Sequence, residues 1–226
     1  MNRRLGDEER AIAWQAASLL LGYPDDDLLA RLPALREAVG RLPSPVGKHL
    51  GRFVERLASA PLGELQEHYV QTFDHTLRCC PYLTYYAYGD TRQRGMALLK
   101  FKNAYRIAGL ELTDDELPDH LGVVLEFGAT ADRRTAARLL QDHRAGVELL
   151  RLALLDRASP YGDVLEAVSL TLPPIGDRDA EAVARLAAEG PPAEEVGLTP
   201  YSSPELLADP RVRVAEPPSP DRQGAR

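Results

Sequence analysis

Apolar residues recur at steps of three and four along the first 190 residues, the spacing of one helical face after another. The first such run spans Asp7 to Leu21 and stops at Gly22-Tyr23-Pro24. Asp25 is placed to cap a second helix, with Leu28, Leu29, Leu32, Leu35 and Val39 on one side. Pro33 falls inside that span and predicts a kink or a break. Ser44-Pro45 reads as an N-cap followed by proline in the first turn, ahead of Val46, Leu50, Phe53, Val54 and Leu57. Pro61 opens a fourth helix with Leu62, Leu65, Tyr69 and Phe73 on its inner side. From Cys79 to Asp90 the periodicity fails, and an irregular segment is predicted.

Thr91 starts the next helix, which runs to about Ala108 and is stopped by Gly109. Its wheel is apolar over most of the circumference, with Arg92, Lys102 and Arg106 as a narrow polar stripe, which predicts a central, largely buried helix. Pro118 opens a helix to Thr130, and Asp132 a long one reaching Arg157. On the latter, Ala136, Leu140, His143, Val147, Leu150 and Leu154 form a packing seam. Ser159-Pro160 and Asp177 start the last two helices, and Gly190 ends the series. Pro191 to Arg226 holds 8 of the 18 prolines. The expected organisation is all-α: a single helical-bundle-like domain of about nine helices over 1–201, and a Pro-rich, disordered tail over 202–226.

Composition sharpens this picture. Leu (36) and Ala (30) outnumber Val (13) and Ile (3), which argues against a large sheet core. The net charge of −7 disfavours nucleic acid as a partner and suits a cationic one. No apolar run is long enough to span a membrane, and Met1-Asn2-Arg3-Arg4 leads into acidic residues rather than into a signal peptide. With two adjacent cysteines, Cys79 and Cys80, and no second pair, the chain reads as a reduced, cytoplasmic protein.

The sequence contains no Gly-rich phosphate loop, no His-Glu-x-x-His and no Cys-x-x-Cys. The five histidines are scattered and give no metal-ligand spacing. Two features remain. Six of the nine tyrosines fall between Tyr69 and Tyr105, four of them within Tyr82 to Tyr88. They either pack the core beneath an irregular segment or form a surface that binds another chain. The second feature is Glu116-Leu117-Pro118-Asp119-His120-Leu121. With the helix starting at Pro118, Asp119, Val123 and Glu126 share one face. Asp119 is then either a carboxylate set against the helix dipole or an exposed anion that receives a cationic group of a partner peptide. His120 points towards Val124 and Phe127, as a hydrogen-bonded core histidine or as part of the same groove.

The stretches Tyr69-Val-Gln-Thr-Phe73-Asp74, Tyr82-Leu-Thr-Tyr-Tyr86, Gly89-Asp-Thr-Arg92, Arg94 to Lys102 and Leu117-Pro-Asp-His120 through Phe127 resemble the NarJ chaperones. These are the delta subunit of respiratory nitrate reductase, within the TorD, DmsD and NarJ group of redox-enzyme maturation proteins. The resemblance covers about Ala11 to Tyr201. It implies an all-helical chaperone without enzymatic activity. Such a protein binds the N-terminal peptide of the apo nitrate reductase catalytic (alpha) subunit in the cytoplasm. It holds that subunit for insertion of the molybdenum bis-guanine-dinucleotide cofactor, blocks premature membrane docking and is absent from the finished enzyme. The cofactor goes to the client, and none is bound stably by the chaperone; no nucleic acid and no direct membrane insertion are implied. The peptide-binding hot spot of relatives lands on Asp119 and His120. Around that pair, Tyr69, Phe73, Tyr82, Tyr85 and Tyr86 would supply apolar contact and Glu126 further charge. The rival reading is a helical adaptor or regulator without a molybdoenzyme client, whose Arg92, Lys102 and Arg106 meet an acidic partner.

Overall fold

A computed structural model of the chain describes residues 5–112 and 116–190. The expected 202–226 tail and the domain limit at 201 lie outside the described residues. Among these, eleven α-helices occur and no strand. The centre is α1 (Asp7–Leu20), which buries Ala13, Trp14, Ala16, Ala17 and Leu20. Its acidic first turn suits the positive end of the helix dipole, and Glu9 turns back to accept from the Gly6 N–H at 2.8 Å. Trp14 is fully buried, and its indole N–H donates to Thr171 Oγ1 at 2.7 Å.

Helix α7 (Leu121–Thr130) lies against α1. The approach is close because residue 128 is glycine. A Cβ there would stand 2.5 Å from the Trp14 ring and 2.6 Å from Ala136 Cβ. Helices α2 (Asp26–Gly40), α3 (Val46–Ser59) and α10 (Tyr161–Thr171) close the other side of the core, with Phe53 against Tyr161 at 4.7 Å between ring centroids. The remaining helices are α4 (Leu62–Tyr69), α5 (Leu83–Tyr88), α6 (Arg92–Ile107), α8 (Arg133–Asp142), α9 (Arg144–Asp156) and α11 (Asp177–Glu189). Eleven rather than about nine arises from two divisions that the periodicity does not reveal.

The first division is a short helix, α5, inside the segment expected to be irregular; a 3-10 turn, Leu77–Cys79, precedes it. The second is at His143, which leaves helical geometry (φ −111°, ψ 25°) and splits the long 132–157 helix into α8 and α9. Ala136, Leu140, Val147, Leu150 and Leu154 are all buried nonetheless. A one-residue break does not disturb a 3/4 pattern, so the pattern cannot report it.

Three further expectations are corrected. Pro33 does not break α2: the proline is exposed, while Leu28, Leu32, Leu35 and Val39 hold the opposite face in the core. Ser44 makes no side-chain cap, since α3 begins after Pro45. Most important for function, α6 is not a central helix. It buries only Ala97, Phe101 and Tyr105, while Met96 is 69%, Leu99 49% and Ile107 85% exposed. A wheel counts apolar residues; it does not say which of them have a partner.

Candidate functional site

The Pro118-Asp119 pair forms a turn, and α7 begins only at Leu121, with His120 as its N-cap. Asp119 is therefore not in a first helical turn, and it is not an exposed anion: it is fully buried. The reason is an antiparallel backbone pairing of Tyr82 with His120. Leu83 N–H donates to Asp119 O at 3.0 Å and Leu121 N–H to Pro81 O at 2.9 Å. This clamp brings the Asp119 carboxylate under the start of α5. There Oδ2 accepts from the Thr84 N–H at 3.0 Å and from Thr84 Oγ1 at 2.5 Å. Asp119 thus caps the helix that carries the tyrosines. Its Oδ1 is buried without a partner among the described residues.

His120 is also buried. Its Nδ1 accepts from the Gly122 N–H at 3.2 Å, and its ring meets Tyr82 edge-on at 5.4 Å. Burial pushes its pKa down, against the raising effect of Glu116 and Asp119. The hydrogen-bonded reading of His120 describes this geometry.

The tyrosines divide. Tyr86 packs in the core beside Gly146 and donates to Cys80 O at 2.9 Å and Arg78 O at 3.1 Å. Phe73 is buried too, 4.8 Å from Tyr161. Neither offers a surface. The hydroxyl of Tyr105 donates to Pro118 O at 2.5 Å, which ties α6 to the Asp119 turn. Tyr82 and Tyr85, by contrast, remain half-buried. Arg94 joins them: its guanidinium carbon lies 5.6 Å from the Tyr82 centroid and 6.0 Å from that of Tyr85. The same side chain donates to Thr84 Oγ1 at 3.2 Å and pairs with Asp90 at 3.0 Å.

Exposed Glu116 accepts from the Tyr82 hydroxyl at 3.0 Å and from the Leu117 N–H at 2.9 Å. Tyr69 belongs to the same electrostatic neighbourhood. Burial first, then Asp74 and Glu116, push its hydroxyl up to about 12. Glu126 is exposed on α7, whereas Asp119 is fully buried. The shared face of Asp119, Val123 and Glu126 does not exist, because the helix starts after Asp119.

Sequence reasoning missed Thr84 and Arg94. Thr84 carries no local sign of its partner, which is 35 residues away. Arg94 had one, since Asp90 and Arg94 sit four apart at the start of α6.

Among known proteins, a family model described as nitrate reductase delta subunit matches residues 40–167, which include the whole of this cluster. The chain belongs to the nitrate reductase delta subunit family. It is 36% identical over 175 residues to the probable nitrate reductase molybdenum cofactor assembly chaperone NarJ of Bacillus subtilis, covering 76% of this chain and 94% of that protein. Its identity to NarJ of Escherichia coli K12 is 32% over 147 residues, 64% of this chain and 62% of the other. The nitrate reductase-like protein NarX of Mycobacterium tuberculosis is 39% identical over 160 residues. The match covers 71% of this chain, and the chain spans only 24% of that relative's length. A redox enzyme maturation protein from Archaeoglobus fulgidus shares the fold, with a TM-score of 0.52, 24% identity and coverage of 76% of this chain and 94% of the other.

Within this family member the adjacent cysteines are poor nucleophiles. Burial raises both thiols, that of Cys80 to about 11, so the reactive thiolate is scarce at neutral pH. No group of three or more His, Cys, Asp or Glu could hold a metal ion among the described residues. No helix among them is long and apolar enough to cross a membrane.

Proposed function

We propose that the protein is a non-catalytic assembly chaperone for a nitrate reductase. Its client is the apo catalytic (alpha) subunit, bound chiefly by the N-terminal peptide. The chaperone holds that subunit while the molybdenum cofactor is inserted, prevents premature membrane docking and leaves before the enzyme is complete. It keeps no cofactor itself and works in the cytoplasm.

The observation that carries this reading is the Tyr82–Tyr85–Arg94 face, fixed from below by Asp119, in a member of the delta subunit family. A client helix would lay its apolar side on the two half-buried rings and on Tyr69. Its basic residues would meet Glu116, and Asp90, which is 78% exposed in its side chain. In this arrangement Asp119 and His120 act through the backbone they hold and do not touch the peptide. The net charge of −7 favours encounter with a basic segment at low salt.

Calorimetric titration with the N-terminal peptide of the catalytic subunit from the same genome tests the proposal. Saturable one-to-one binding that weakens with salt supports it. Absence of binding to both the peptide and the whole apo subunit refutes it.

A further inference from the structure

Helix α6 presents two apolar rows on opposite sides. The inner row, Ala97, Phe101 and Tyr105, is buried. The outer row consists of Met96, Leu99 and Ile107, 69%, 49% and 85% exposed. At 100° per residue Met96, Leu99, Asn103 and Ile107 fall within an arc of about 80°, centred roughly opposite the inner row. Their spacing of three, four and four is that of a seam for one facing helix.

Charge marks the flanks of this seam. Arg92, Arg94, Lys100, Lys102 and Arg106 are the ionisable cations of α6, and the helix contains no acidic residue, in a chain of net charge −7. Lys100 lies on one side of the seam, Arg106 and Lys102 on the other. These three make no ion pair among the described residues; Arg106 donates only to Asn103 Oδ1, at 3.2 Å.

We propose that the outer face of α6 docks one acidic amphipathic helix of a partner protein, in a contact separate from the Tyr82–Tyr85 face. Such a helix would set its own apolar seam on Met96, Leu99 and Ile107 and its carboxylates against Lys100, Lys102 and Arg106. A lipid surface fits less well. The apolar arc is narrower than the stripe of about 100° or more typical of a helix laid on an apolar phase, and Asn103 stands in its middle. A polar residue inside a narrow seam is instead a common register device between two helices.

The probe is a synthetic 21-residue helix with Leu at its a and d positions and Glu at its e and g positions. Its twin carries Lys in place of Glu. The full chain should bind the Glu peptide, and that binding should weaken with salt and persist when the nitrate reductase N-terminal peptide is present in excess. Any binding of the Lys peptide should be displaced by that N-terminal peptide. Met96→Glu/Ile107→Glu and Lys102→Glu/Arg106→Glu should each lower the affinity about tenfold or more. These exposed positions should leave the melting curve unchanged. Titration of the nitrate reductase N-terminal peptide should also be unaltered, so this inference and the proposed function fail separately. No binding of the Glu peptide, displacement of the Glu peptide by the nitrate reductase N-terminal peptide, or indifference to the variants overturns the proposal. So does binding to phosphatidylglycerol vesicles without binding to the peptide. A wild-type dimer in light scattering that the Met96→Glu/Ile107→Glu variant dissolves would also overturn it, by making a second copy the occupant.

Discussion

Asp119 caps a helix that lies 35 residues before it, accepting from both the backbone N–H and the hydroxyl of Thr84. A carboxylate held this way orders α5, and with it Tyr82 and Tyr85. Hydrogen bonds to a charged group contribute roughly 1.5–3 kcal/mol. Asp119→Ala should therefore lower Tm by about 3–12 °C at this chain length. Peptide affinity should fall as a consequence of that loosening. A variant that melts like wild type yet no longer binds would make Asp119 a direct peptide contact instead.

Arg94 spans both rings and the Thr84 hydroxyl with one planar group. Arg94→Lys keeps the charge and loses that geometry. With cation–π contacts of about 0.5–2 kcal/mol, peptide affinity should fall about 2- to 30-fold. Titrations of wild type and variant at one salt concentration decide the matter. Equal affinities would remove Arg94 from the site.

Glu116 holds the Tyr82 hydroxyl and faces solvent. Glu116→Gln preserves the hydrogen bond and deletes the charge. If client cations meet it, affinity should drop roughly 3- to 10-fold at low salt, and the difference should shrink above about 0.5 M salt as screening grows. A salt-independent loss would point to the hydrogen bond rather than the charge.

Burial lowers the pKa of His68, His120 and His143 below the ordinary imidazole value of about 6.5. Each then binds its proton less readily folded than unfolded, so the unfolded state takes up more protons as pH falls. The stability associated with the neutral rings is present above about pH 6.5 and is lost below it. Denaturant midpoints should fall from pH 7 to pH 5, and His120→Gln should flatten that slope. A midpoint constant over this range would contradict the burial of these rings.

Cys79 is buried and Cys80 half-buried, and burial raises both thiol pKa values. Replacing Cys79 with Ala and Cys80 with Ser should preserve nitrate reductase maturation in a complementation assay, because binding and release need no thiolate. Lost maturation by a folded double variant would instead point to a mechanism that uses a thiol.

Several helix limits were legible because their cause lies within a few residues. Asp25 bonds Leu28 N–H, Asp132 bonds Thr135 N–H, and Gly109 and Gly190 both take φ of +79° after their helices. The apolar rows of α2, α3, α8 and α9 were legible for the same reason, since periodicity is a local property. The motif block likewise placed the chain in its family and drew attention to Asp119 and to the tyrosines. Tertiary structure alone decided which tyrosines reach the surface, that the Asp119 carboxylate points inward at Thr84, and that α6 turns Met96, Leu99 and Ile107 outward. Those outcomes depend on partners far away in the chain: Pro81 pairing with Leu121, Gly146 admitting the ring of Tyr86, Tyr105 reaching Pro118. A helical wheel records which side of a helix is apolar. Whether that side is covered depends on the packing of other segments, and burial of a carboxylate depends on donors that only the folded chain assembles.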